Sequence, residues 1–186
     1  MSKVLYPFIN EILFDPLKVI YTKYCVSINY KESAPMSFGL WGFISTTNSN
    51  DGVWFRIKEY FRPYSNDDEQ RNILMAYSEL MELIGDLKNV SLLFDPNDVL
   101  SSKLANMVSD KWNFKLIKFS GNTENYYSKI CQALQSGIIK ISSNCYDMQR
   151  EHIKCTLDNP MGDNGIMSEI GLFIDYNYSF PNKNNF

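Results

Sequence analysis

Few side chains in this sequence stand where chemistry would need them. Asp95 ends VSLLFD at 90 to 95, a nearly continuous apolar run of the kind that forms a buried strand. Its carboxylate would emerge at the edge of a sheet, and the Pro96 that follows makes strand-ending turn chemistry the competing role. Glu169 and Asp175 are two further acids in a tail whose periodicity is ambiguous, and Glu32 lies in a turn segment where an acid is ordinarily solvated. His152, the single histidine, follows Glu151 in a helical stretch and lacks the Cys or Ser pattern that nucleophilic catalysis requires. Cys25, Cys131, Cys145 and Cys155 form no C-x-x-C pair and fall in strand-like or helix-like segments, so reduced core residues are expected. Trp41, Trp54, Phe55 and Tyr60 are capable of stacking on single-stranded nucleic acid, but strand aromatics ordinarily fill a core, and core is expected here.

The elements that must position these residues follow from periodicity. YCVSINY at 24 to 30, FGLWGFIST at 38 to 46 and GVWFRIKEYF at 52 to 61 are rich in β-branched and aromatic residues and read as strands. The short breaks between them, KESAPM and TNSND, are turn chemistry, so the three strands should form an antiparallel meander. Ile73, Leu74, Tyr77, Leu80, Met81 and Ile84 then recur at helical spacing behind the acidic run at 66 to 69, whose carboxylates suit a helix N-terminus. After the strand ending at Asp95, a helix from Asn97 to about Asp110, a strand FKLIKF at 114 to 119 and a helix from about Glu124 to a C-cap at Gly137 follow. A strand IIKI at 138 to 141 and a helix from about Cys145 to Cys155 complete the pattern. Three antiparallel strands followed by alternating helices and strands predict an α/β fold with a mixed sheet of five or more strands flanked by helices.

The bulk properties bound the function. The 186 residues, 45% of them hydrophobic, suit one domain spanning 1–186, with the Asn-rich residues 180–186 expected to fray. No run approaches the ~20 apolar residues of a membrane helix, and MSKVLYPFINE lacks the order of a signal peptide, so a soluble intracellular protein with no membrane partner is expected. A net charge of -3 and a pI near 5.2 argue against nucleic-acid binding through a broad basic face.

VSINYKESAPMSFGLW at 26 to 41, IKEYFRPY at 57 to 64, LFDPND at 93 to 98, SGIIKISSNCYDMQRE at 136 to 151 and DNPMGDNGIMSEIGLF at 158 to 173 together resemble, in order and spacing, the C-terminal nuclease domain of tailed-phage and prophage terminase large subunits. The resemblance covers about Leu5 to Phe173. No G-x-x-x-x-G-K-[ST] loop occurs, so the ATP-driven motor half of such a subunit is not expected in this chain. The resemblance implies an RNase H-like fold and endonucleolytic cleavage of concatemeric DNA during phage DNA packaging. It also implies double-stranded DNA, the small terminase subunit or the portal protein as partners, and a phage- or prophage-encoded protein in the host cytoplasm.

Carried across position by position, the three metal-binding acids of that family fall on Asn29, Asp95 and Glu169, with Asp175 as an alternative third acid. The implied cofactor is Mg²⁺ or Mn²⁺ in a two-metal phosphodiesterase site, where hard cations call for oxygen ligands. Asn29 departs from the pattern. Losing one unit charge beside a divalent ion amounts to about 8 kcal/mol before solvation recovers much of it, taking an effective dielectric constant near 20 and ~4 Å. The family's glycine and threonine after the first acid are Lys31 and Glu32 here, and its histidine before the third acid is Ile166. These departures raise a second expectation, a degenerate relative that binds DNA or packaging proteins without cutting, or that interferes with packaging.

Overall fold

The computed structural model describes residues 13–14, 19–32, 34–45, 52–63, 69–121, 126–154 and 165–178. The acidic residues at 66 to 68, the turn at 47 to 51, Cys155 and residues 180–186 lie outside them.

The predicted meander is present as β2 (Lys23–Asn29), β3 (Met36–Ser45) and β4 (Gly52–Arg62), paired antiparallel. A helix α1 (Glu69–Ile84) follows, and then β5 (Val90–Phe94), α2 (Val99–Trp112), β6 (Lys115–Lys118), α3 (Tyr126–Gln135), β7 (Ile139–Ser142) and α4 (Tyr146–Lys154) alternate. Two elements were not read from the sequence. One is β1 (Leu13–Phe14), a two-residue strand parallel to β7, and the other is α5 (Gly165–Asn177), formed by the ambiguous tail.

The sheet has seven strands in the order β1-β7-β4-β3-β2-β5-β6. The meander occupies its middle, and β5, β6 and β7 join it in parallel, so the sheet is mixed as predicted. Alternation along each strand divides the core between two faces. On one, Val26, Ile28, Phe38, Leu40, Leu92 and Phe94 pack against α1 and α2. On the other, Cys25, Trp41 and Leu93 pack against α3, α4 and α5.

α5 is buried on almost every side from Gly165 to Ile174. That explains why its period was hard to read, since a helix enclosed by neighbours carries no polar stripe to mark a solvent face. Gly171 brings it close to α3, because a Cβ there would lie 2.3 Å from the Tyr126 ring. Trp41 and Phe173 then stack with ring centroids 3.9 Å apart, fixing α5 over β3. Trp41 is fully buried, so for this residue the core expectation holds.

Candidate functional site

The parallel pairing of β2 and β5 runs from Tyr24 opposite Val90 to Ile28 opposite Phe94. One step further on the same register are Asn29 and Asp95, side by side at the C-terminal ends of two adjacent strands. Alternation turns both away from the α1 and α2 layer, whose core contains their neighbours Ile28 and Phe94. Asn29 is buried, and its amide nitrogen stands only 2.4 Å from where a Cβ on Gly165 would be, so the N-terminus of α5 closes directly over it.

Asp95 forms the turn that its sequence suggested while keeping its place at the edge. Its Oδ1 accepts the backbone N–H of Asn97 at 2.9 Å and the Ser120 hydroxyl at 3.3 Å. Next to it, Asp98 pairs with Lys31 at 3.7 Å. Burial raises the pKa of Asp98 and the charge of Asp95 adds to that, against the pull of Lys31. Tyr126 on α3 faces the same charges. Burial first, then Asp175, Asp95 and Asp98, push its phenol well above the usual range.

Glu169 lies deeper on the same face, and it is fully buried. Its Oε1 accepts the Ser27 hydroxyl and, at 3.4 Å, the Trp41 indole N–H, while Ser37 donates to Oε2 at 3.3 Å. Trp41 also donates to the Ser27 oxygen at 2.7 Å. Ser27 and Ser37 flank Asn29, the first two positions earlier in β2 and the second directly opposite on β3. The dominant partner of Glu169 is Arg56 on β4, also fully buried, with Nη1 2.7 Å from Oε2. Asp175, the alternative third acid, is paired instead with Lys129 on α3.

Sequence reasoning did not find Arg56. It sits in GVWFRIKEYF among Lys58 and Arg62 at alternate positions, a pattern that resembles a solvated strand face. A bulge between Leu40 and Trp41 shifts the β3–β4 register, setting Arg56 opposite Trp41 with its guanidinium carbon 5.3 Å from the ring centre. Its Nε also holds Glu59 at 3.2 Å. The other oxygen of Glu59 accepts the backbone N–H groups of Asp147 and Met148 at the start of α4. Burial opposes the charge of Arg56, but Glu169 and Glu59 outweigh it and raise its pKa above the already high arginine range. Neither Arg56 Nη1 nor Nη2 makes a hydrogen bond among the described residues, so Nη1 meets Glu169 as a close ion pair.

The donor set does not fit a three-acid metal cage. Asn29 contributes an amide where a carboxylate would be, and both oxygens of Glu169 are engaged by Ser27, Trp41, Ser37 and Arg56. Among the described residues, no group of three or more His, Cys, Asp or Glu side chains stands together in a way that could hold an ion. Glu32 is exposed and His152 lies in α4. No helix among the described residues is long and apolar enough to cross a membrane.

No family model and no curated protein sequence matches the chain. Solved structures do match. The nuclease domain of the phage P22 large terminase superposes with a TM-score of 0.68 at 7% identity, covering 94% of this chain and 92% of that domain. The fold is that of a large-terminase nuclease domain. The full large terminase of a thermophilic bacteriophage matches with a TM-score of 0.68 at 22% identity over 93% of this chain, which spans only 45% of that protein. The large-terminase nuclease of thermophilic phage G20c, solved with bound magnesium, gives a TM-score of 0.54 at 11% identity and covers 94% of this chain. At these identities the terminase-nuclease likeness is one of fold, RNase H-like as the sequence resemblance implied.

Proposed function

We propose that this chain is a terminase-type nuclease domain of viral DNA packaging, acting on concatemeric double-stranded DNA in the host cell, in which the cutting step is weakened. The observation that carries the proposal is Asn29 beside Asp95 at the C-terminal edge of β2 and β5, with Glu169 of α5 on the same face. An edge where neighbouring parallel strands end is the usual place for a ligand in an α/β sheet. The likeness to the P22 and G20c nucleases over nearly all of their length supports this assignment. The zinc and magnesium of the G20c structures support a divalent ion as the cofactor of such a domain. Docking partners of this class are the small terminase subunit or the portal protein.

A second reading, a scaffold that binds DNA or packaging proteins without cutting, is favoured by the engagement of both Glu169 oxygens and by the amide at Asn29. Nicking of supercoiled plasmid in Mn²⁺ separates the two. The nuclease reading expects slow nicking by the parent chain that Asp95→Ala abolishes and Asn29→Asp increases. Inert protein in all three forms, with DNA or portal binding retained, establishes the scaffold.

A further inference from the structure

A buried carboxylate needs a counter-charge, and either a metal ion or a protein cation can supply it. Glu169 has a protein cation. Arg56 reaches it from β4 with Nη1 2.7 Å from Oε2, and both side chains are fully buried. The sheet is shaped to admit this pair. Gly39, on the strand between Ser27 and Glu59, leaves the space the pair fills, since a Cβ there would lie 2.2 Å from Arg56 Nη1 and 2.6 Å from Glu169 Oε1. The Trp41 ring supports the guanidinium, and Glu59 holds its Nε from the other side.

We infer that the Arg56 guanidinium takes the place of a divalent cation as the counter-ion of Glu169, so that the third acid is withheld from any ion bound at Asn29 and Asp95. This inference rests on the assignment of that edge as a terminase-type site. A divalent ion approaching Glu169 would meet a positive charge already seated against Oε2 and hydroxyl or indole donors on both oxygens. Restoring the acid at position 29 alone therefore leaves the site one ligand short. Removing Arg56 as well releases it.

The test is Mn²⁺ titration calorimetry on the whole chain carrying Asn29→Asp, alone and combined with Arg56→Met or Arg56→Lys. The Asn29→Asp/Arg56→Met form is expected to bind Mn²⁺ on the order of 10–100-fold more tightly than Asn29→Asp, the span by which supporting groups change metal affinity. The Arg56→Lys form keeps the weak affinity because it keeps the positive charge. Equal affinity of Asn29→Asp with and without Arg56 overturns the inference. If the Arg56→Met form does not fold in EDTA, its cooperative melt must return in millimolar Mn²⁺, and failure to return also overturns it. Adding Asp95→Ala identifies the other failure, since Mn²⁺ binding indifferent to Asp95 shows that the edge is not the metal site.

Discussion

Exchanging Arg56 for methionine preserves much of the side chain's length while withdrawing its charge from between Glu59 and Glu169. At ~4 Å between charge centres and an effective dielectric constant near 20, each attraction is gross about 4 kcal/mol. Desolvation of the three groups cancels much of this in the intact protein, but removing one partner leaves the others buried without compensation, and such losses run to about 3–5 kcal/mol. Glu59 retains the α4 N–H groups through its other oxygen, so most of the loss is assigned to Glu169, which is 0% exposed. Glu169→Gln leaves Arg56 with Glu59 and costs less, about 1.5–3 kcal/mol. The double variant Arg56→Met/Glu169→Gln removes both charges of that pair, leaving Glu59 to its α4 N–H groups, and is expected to recover about 2–3 kcal/mol relative to the sum of the single losses. Urea unfolding followed by circular dichroism, with the slope checked for constancy, measures all four forms. Additivity within ~0.5 kcal/mol would mean that the two side chains do not compensate one another, and the counter-ion role of Arg56 would be refuted.

Gly171→Ala should destabilise the chain by about 1–3 kcal/mol in thermal or urea melts although alanine is the better helix former, because its Cβ would enter the Tyr126 ring. Glu59→Gln should cost about 1–2 kcal/mol through the loss of a charged acceptor for Asp147 and Met148 and for Arg56, read in the same melts. Cys25 and Cys145 are buried, and burial raises both thiols far above the ordinary range, so iodoacetamide at pH 8 followed by mass spectrometry should leave them unlabelled until urea unfolds the chain.

The sequence was most legible where one period governed a segment. YCVSINY, FGLWGFIST and GVWFRIKEYF became β2, β3 and β4, and the stripe from Ile73 to Ile84 lies in α1. Gly137 has a φ of +70°, as a helix C-cap requires, two residues after the end of α3. The tail that forms α5 is ambiguous in sequence because the helix is enclosed, and β1 is not legible because two residues carry no period. Asp95 could be placed at a strand end from the chain alone, since the apolar run and the Pro96 stop act locally, whereas Asn29 was singled out by the family resemblance. Arg56 could not, because its burial follows from a bulge at Ile57 in its own strand, visible only in the pairing with β3, and from a glycine at position 39. The pairing of Glu169 with Arg56 is likewise a product of packing across four elements.

The Trp41–Phe173 stack and the Glu169 contacts join the first full-length strands of the sheet to the last described helix, with Ser27 and Glu169 separated by 142 positions. During synthesis the meander and its α1–α2 layer can assemble long before α5 leaves the ribosome, but Arg56 must wait for its partner. Until then the α3–α5 face of the sheet carries a cation balanced only by Glu59 beside exposed Trp41, which discourages tight but wrong burial of that face. Arrival of Glu169 turns that repulsive feature into an attractive one, so the same charge that delays closure of the core also specifies which helix may close it.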